Sequence, residues 1–101
     1  MVERHEFDLP QCCPVTRNPQ PGSVIKIKYR PQRLLLEVQS LHDYIKEYIG
    51  GRLDVRSMEG MIQNIAQDCS NSIGVKVRVR AKLLIQPTQI MKLECKAWPH
   101  A

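Results

Sequence analysis

Alternating apolar and basic residues predict a half-buried β-strand over residues 23–30. Every second position from Ile25 to Tyr29 is apolar, and lysine or arginine occupies the positions between them. A period of two places the apolar side chains on one face of a strand and the charged ones on the other. After a short turn at residues 31–33, the apolar run at residues 34–38 predicts a second strand, so that the two form a hairpin.

The pattern then changes to one that is typical of helices. Ser40 is a favourable N-cap, and Asp43 stands three residues later as the acidic partner of a capping box. Apolar residues recur at helical spacing until Gly50 and Gly51, which predict the end of this first helix. The apolar positions are Leu41, Tyr44, Ile45, Tyr48 and Ile49.

A second helix is predicted between Ser57, which can cap its first turn, and Gly74, which ends it. The residues between them include an apolar stripe with the spacing of an amphipathic helix. The stripe consists of Met58, Met61, Ile62, Ile65, Ala66, Cys69 and Ile73. Methionines in such a stripe are typical of core filling rather than of a binding surface.

The last third of the chain returns to a period of two. Apolar residues alternate with lysine and arginine over residues 75–83, which is the clearest strand signal in the sequence. Residues 86–88 predict a turn, and residues 91–97 alternate again as a final strand. Residues 1–11 are polar and without a pattern, and we interpret them as an N-terminal arm.

These elements predict a single α+β domain over residues 1–101 with the order β-β-α-α-β-β. The antiparallel sheet would have one apolar face, which the two helices must cover, and one cationic face. The basic positions are Lys26, Lys28, Arg30, Lys76, Arg78, Arg80, Lys82, Lys92 and Lys96. The two open edges of such a sheet favour pairing with neighbouring subunits and closure into a barrel lined by those cations. The alternative is that the basic face is simply solvated.

Composition limits the cellular compartment and the classes of function that we expect for this chain. The 101 residues suffice for one domain and contain no apolar run that could span a membrane. The first residues lack a hydrophobic segment, so we expect no secretory signal and four reduced cysteines in the cytoplasm. No cysteine or histidine pair has zinc-ligand spacing, so we expect no metal. The formal charge of +5 favours an anionic partner without establishing one.

Candidate chemistry lies in the segment from Cys12 to Gly22, which combines two cysteines with three prolines ahead of the first predicted strand. Proline fixes φ and pushes the preceding residue to extended geometry, so such a loop holds a side chain at low entropic cost. The side chain held in this way would be a thiol. The alternative is a loop whose cysteines are buried as small hydrophobic residues.

The sequence Cys-Pro-Val-Thr at residues 13–16 resembles a loop of the QueF family, which processes the nitrile of 7-cyano-7-deazaguanine (preQ0). The predicted element order is similar to the tunnelling fold, or T-fold, to which that family belongs. The resemblance extends to about Trp98 and includes Glu-Val-Gln-Ser-Leu at residues 37–41 and Glu59 in the second helix. It implies a homo-oligomer that encloses a tunnel, with pockets between subunits.

The resemblance also implies roles for individual residues. Cys13 would be the nucleophile whose thiolate attacks the nitrile carbon and forms a covalent thioimide, whereas Cys12 has no counterpart in the motif. Glu59 would accept hydrogen bonds from the N–H groups of the base. The alternative for Glu59 is a first-turn glutamate that the helix dipole favours. Glu37 and Ser40 would also contact the substrate.

Four positions depart from the family pattern. Gln20 replaces an acidic residue that serves the reductases as a proton donor, and Met58 replaces a histidine that often precedes the anchoring glutamate. Gln39 and His42 replace two lysines that would contact the phosphates of NADPH. Because two positive charges are lost, we expect weaker binding of NADPH. His42 and the position of Gln20 are the candidates for acid–base chemistry.

We therefore favour a non-reductive, archaeosine-type amidinotransferase, in which ammonia attacks the thioimide of preQ0 in tRNA and no cofactor is required. The first alternative is NADPH-dependent reduction to the aminomethyl base preQ1 of the queuosine pathway. The second is a T-fold paralogue that binds a purine-like base without turnover. A nucleic-acid binder that acts through the basic face alone is a weaker alternative, because the few aromatic residues do not interleave with the basic ones.

Overall fold

The computed structural model describes residues 1–9, 11–13, 15–49 and 57–100. It contains six elements in the order β-β-α-α-β-β. They are β1 (Glu3–Asp8), β2 (Val24–Tyr29), α1 (Val38–Lys46), α2 (Met58–Ile73), β3 (Val77–Ile85) and β4 (Gln89–Ala97). The strands form one antiparallel sheet in the order β1-β2-β3-β4, which confirms the predicted α+β class with four strands and two helices.

The first strand is not the one that we predicted. β1 lies within the segment interpreted as an arm and pairs with β2, with Glu3 opposite Tyr29 at one end. Phe7 is the single large apolar residue of β1, so no hydrophobic alternation marks this strand in the sequence. His5 lies between the rings of Phe7 and Tyr29, at centroid distances of 6.5 and 6.1 Å. Most of the predicted arm therefore belongs to the sheet.

Residues 34–38 form no strand, and the predicted hairpin was wrong. Both edges of β2 are already occupied, by β1 on one side and by β3 on the other. The segment instead leads into α1, and the N–H of Leu36 donates a hydrogen bond of 2.8 Å to the hydroxyl of Tyr29. The apolar run therefore cannot pair with β2 as the predicted hairpin requires.

The first helix begins earlier than predicted. Glu37, and not Ser40, is the N-cap of α1, because the Glu37 carboxylate accepts a hydrogen bond of 2.5 Å from the N–H of Ser40. The helix begins at Val38 and ends at Lys46. The predicted stop at residues 50–51 lies outside the described residues.

The second helix is confirmed at both ends. The Ser57 hydroxyl accepts a hydrogen bond of 2.9 Å from the N–H of Gly60, which caps α2. Gly74 ends the helix in the left-handed region, with a φ of 71°, where a residue with a side chain is disfavoured. The apolar stripe of α2 packs across β3 and β4. Its buried members are Met61, Ile62, Ile65, Ala66, Cys69 and Ile73.

The hydrophobic core lies on one face of the sheet. The register aligns the inward-facing side chains in rows across the strands, and the fully buried pair Ile27 and Val79 is one example. The buried face of α1 contributes Leu41 and Ile45 to the same core, and Tyr48 joins it from the turn after the helix. Because strand side chains alternate in direction, the charged residues between the core positions lie on the opposite face.

Candidate active site and basic sheet face

The loop between β1 and β2 carries the two adjacent cysteines and is held in shape by its own backbone. The N–H groups of Cys12 and Cys13 both donate to the carbonyl oxygen of Asn18, at 3.1 and 3.0 Å. The N–H of Arg17 donates to the carbonyl of Cys13 at 2.8 Å, and Arg17 has a left-handed φ of 60°. These bonds close a turn beside the Cys13 side chain.

Further hydrogen bonds connect this loop to β3 and to the turn after it. The N–H of Gln20 donates to the carbonyl of Leu84 at 2.7 Å. The buried Ser23 hydroxyl donates to the Gln20 carbonyl and accepts from the N–H of Leu84, at 2.8 Å each. The side-chain oxygen of Asn18 accepts from the N–H of Gln86 at 3.1 Å. The sheet, and not the loop alone, therefore fixes the position of the cysteines.

The two cysteines have opposite environments. Burial raises the pKa of Cys12 to about 11, and the neighbouring charge of Cys13 adds to the effect. Cys13 is partly exposed, and hydrogen bonds from the Thr16 hydroxyl, then from the N–H groups of Thr16 and Val15, lower its pKa. The N–H of Thr16 lies 3.5 Å from the Cys13 sulfur. Cys13 is therefore the member of the pair that forms a thiolate more easily.

Cys12 also brings the cysteine loop to the beginning of α2. Its sulfur lies 3.8 Å from the sulfur of Met61. Glu59, the predicted anchor of the base, precedes Met61 by two residues, or about 3 Å along the helix axis, and is exposed. The cysteine loop and Glu59 thus lie at the same end of α2 within one protomer.

A polar network joins the two helices and shows that they run antiparallel. The hydroxyl of Tyr44 donates to the Asp68 carboxylate at 2.6 Å, and Asn64 donates to the hydroxyl of Tyr48 at 2.7 Å. The two hydroxyl oxygens are 2.8 Å apart. Burial, followed by the hydrogen bond to Asp68, raises the pKa of Tyr44, so this group stays protonated and acts as a structural donor.

The antiparallel arrangement places the other predicted site residues at the far end of α2. Glu37 and Ser40 line a groove of about 320 Å³ together with Ser72 from the last turn of α2. Ser72 lies about 20 Å along the helix axis from Glu59. His42 is exposed on α1. One protomer therefore does not bring Glu37, Ser40 or His42 to the cysteine loop.

Two of the predicted site residues stabilise local structure. The side-chain amide of Gln20 donates to the carbonyl of Arg17 at 2.6 Å and lies 3.4 Å from the side-chain oxygen of Asn18. The hydrogen bonds that the Glu37 carboxylate accepts from Ser40 lower the pKa of Glu37. An amide has no acidic proton to donate, so the observed role of Gln20 is to clamp the loop.

The polar face of the sheet carries charged residues in rows that the register aligns across all four strands. The rows are Arg4, Lys28, Arg78 and Lys96; Glu6, Lys26, Arg80 and Glu94; and Asp8, Val24, Lys82 and Lys92. Arg4, Glu6 and Asp8 were not predicted on this face, because β1 has no strand pattern in the sequence. Thr16 was not predicted to assist Cys13, although a hydroxyl three residues after a candidate thiol can hydrogen-bond to it.

No protein-family model, curated protein or solved structure matches this chain. Within the described ranges, no helix is long and apolar enough to cross a membrane. Among residues 1–9, 11–13, 15–49 and 57–100, no group of three or more His, Cys, Asp or Glu side chains lies close enough together to hold a metal ion. The geometry of the cysteine loop, of α2 and of the sheet is therefore the basis for inferring function.

Proposed function

We propose that the protein acts on the nitrile of preQ0 through a covalent thioimide on Cys13. The contrast between the adjacent thiols is the observation that supports this most, because Cys12 is buried with a raised pKa and Cys13 is accessible with a lowered one. A nitrile carbon is a weak electrophile, so attack near neutral pH needs a thiolate. Hydrogen bonds from Thr16 stabilise the thiolate.

The proposed reaction needs no electron transfer to or from a cofactor. The Cys13 thiolate adds to the nitrile carbon, and the displaced π electrons on nitrogen take up a proton to give the thioimide. Ammonia then adds to the same carbon. The carbon–sulfur bond breaks, which regenerates the thiolate and leaves an amidine.

Glu59 is the residue that we propose to bind the base. It is exposed in the first turn of α2, at the end of the helix that the cysteine loop contacts through Met61. A carboxylate that accepts hydrogen bonds from two N–H groups of a flat heterocycle gives directional recognition.

We propose that a neighbouring protomer completes the pocket. Glu37 and Ser40 lie about 20 Å along α2 from Glu59, so they can contribute to the same site only from another copy. No strand of the described part of the chain pairs with the outer edges of β1 and β4, and pairing between copies at these edges would form a T-fold barrel.

The non-reductive branch is favoured over NADPH-dependent reduction to preQ1. The Gln39 amide donates to the Asp43 carboxylate at 3.0 Å, so this position presents a neutral group already bonded to an acid. His42 is exposed nearby on the same helix. Such a surface attracts the phosphates of a dinucleotide less than two lysines would. The proposed substrate is therefore preQ0 within tRNA, with ammonia as the second reactant.

The test is the intact mass of the protein after incubation with preQ0, either as free base or within a tRNA transcript. We expect one adduct per chain in the wild-type protein and in Cys95→Ala, whose cysteine is also partly exposed, and none in Cys13→Ala. Adding ammonia should release an amidine product. Consumption of NADPH would assign the reductive branch instead, and the absence of an adduct with both substrates would refute the proposal.

A second candidate function is binding of a purine-like base without turnover. The clamp formed by the Gln20 amide favours it, because the family's proton donor is replaced here by a residue engaged in holding the loop. Tight binding of preQ0 by both wild type and Cys13→Ala, with no adduct in either, would assign this function.

A further inference from the structure

Positive charge on the polar face of the sheet is concentrated at one end of the strands. The cationic row, formed by Arg4, Lys28, Arg78 and Lys96, contains no acid. The middle row contains two cations and two acids, and the row nearest the cysteine loop contains two cations and one acid. This uneven distribution follows from the register and cannot be read from the formal charge of +5.

Ion pairs offset the charge of the middle row, and one of them also engages Arg78 of the cationic row. The Glu94 carboxylate lies 3.0 Å from Nε of Arg78 and 3.1 Å from Nε of Arg80. The ammonium group of Lys26 lies 3.6 Å from the Glu6 carboxylate. These pairs are solvent-exposed and contribute little to stability, but they reduce the field that the middle row presents to a ligand.

A groove of about 430 Å³ opens beside the cationic row. None of the described residues that line it is acidic, and five are cations. The five are Lys28, Arg30, Lys76, Arg78 and Lys96. The ammonium of Lys76 lies 5.4 Å from the centre of the exposed Trp98 ring, which places the chain's single tryptophan beside this basic groove. Like charges around one groove repel one another, and a bound anion relieves that repulsion.

We propose that the basic groove and the cationic row bind the phosphodiester backbone of a nucleic-acid strand. Adjacent strands are about 4.8 Å apart, so the row extends about 14 Å across the sheet, farther than one phosphate group can contact. Cations that contact successive phosphates release counterions and give affinity without sequence preference. Because Phe7 and Tyr29 lie on the core face, the polar face between β1 and β2 offers charge and not a stacking surface.

The inference deepens the proposed function and rests on its nucleic-acid substrate. The cationic row lies four residues, or about 13 Å along the strands, from the row nearest the cysteine loop. Phosphate binding and thioimide formation therefore use separate residues, and a bound strand would have to extend across the sheet to bring a base to Cys13. In a ring of such sheets, the cationic row would lie at one mouth of the tunnel.

The experiment measures binding of an unmodified tRNA transcript and of a single-stranded DNA oligomer between 50 and 200 mM salt. Trp98 fluorescence and anisotropy of the labelled nucleic acid report on the complex. The test variant is Lys28→Gln/Lys96→Gln. The matched control is Lys26→Gln/Lys46→Gln, which removes the same charge from the ion-paired middle row and from the exposed side of α1.

We expect the test variant to lose at least tenfold in affinity at 100 mM salt, and the slope of log K against log salt to fall by roughly 1.4 to 1.8. The control should change affinity less than threefold. Glu94→Gln should bind more tightly than wild type, because it releases Arg78 and Arg80. A preference for tRNA over DNA, or equal binding of both, would agree with phosphodiester recognition.

Three results would overturn the inference. They are equal losses in the test and control variants, no tRNA binding by the wild type at 50 mM salt, and binding of phosphatidylserine vesicles or of inorganic phosphate alone in place of nucleic acid. Binding of unmodified tRNA does not require Cys13, so the Cys13→Ala protein should bind it normally. Failure of binding therefore differs from failure of the proposed function, which would appear as a missing adduct.

Discussion

At the scale of single residues, the neighbouring thiols of Cys12 and Cys13 differ in pKa because their surroundings differ. Cys12 packs against Met61 in the core, where burial disfavours its charged form. Cys13 lies one residue further along the chain, beside the hydroxyl and N–H of Thr16, which favour its charged form. The resemblance in the sequence selects Cys13 and not Cys12. The structure adds the physical difference, because Cys12 is buried against a residue far along the chain, whereas Cys13 contacts residues two and three positions away.

Replacing Thr16 should reduce the reactivity of Cys13. Thr16→Val removes the hydroxyl, which is the largest cause of the lowered pKa, so the pKa of Cys13 should rise towards that of a free thiol. We expect the pH of half-maximal alkylation of Cys13 by iodoacetamide to be lower in the wild type than in the variant. Thr88→Val, in the exposed turn after β3, is the control and should leave the profile unchanged. Identical profiles for wild type and Thr16→Val would contradict this account of the thiolate.

At the scale of secondary-structure elements, periodicity identified the two helices and the strands β2, β3 and β4. It failed at β1, whose inward positions include His5 in place of an aliphatic residue, and at residues 34–38, which have an apolar run but cannot pair with β2 because both of its edges are occupied. Strand formation needs a partner as well as a pattern, whereas a helix satisfies its own backbone. The helices were therefore easier to predict than the hairpin.

The cap of α2 links an element to the proposed site. Ser57→Ala removes the hydroxyl that accepts from Gly60, and we expect the free energy of unfolding to fall by about 1 kcal/mol in urea titration. Because Glu59 lies in the same first turn, adduct formation at Cys13 should also slow. Ser72→Ala, at an exposed position in the last turn of α2, should change stability by no more than about 0.5 kcal/mol. Equal destabilisation by both substitutions would show that the cap contributes nothing specific.

At the scale of the whole molecule, the predicted site residues fall into two groups at opposite ends of α2. Cys13 and Glu59 lie at one end, and Glu37 and Ser40 lie at the other. Among the described residues, the outer edges of β1 and β4 have no strand partner. If all four residues serve one substrate, the complete pocket must lie between copies of the chain.

Assembly is therefore a prediction that can be measured directly. We expect sedimentation at micromolar concentration to give a mass several times that of the chain, because edge pairing adds backbone hydrogen bonds and covers the open strands. The 13 Å distance between the cationic row and the cysteine-loop end would then be repeated in each subunit of the ring. A monomer that still forms the Cys13 adduct at full rate would contradict the shared pocket.

The sequence by itself determined the α+β class, both helices, three of the four strands and the loop that holds the cysteines, since each has a local signal in periodicity, capping residues or proline content. Only the tertiary structure decided which segment pairs with β2, that Glu37 caps α1, and which of Cys12 and Cys13 is exposed. It also decided that the cations collect in one row, because a row across four strands exists only in the register. The pairing of β2 and the cationic row depend on contacts between residues far apart in the chain, which no local pattern encodes. The Glu37 cap is instead a local contact with Ser40, and it depends on where the chain enters α1.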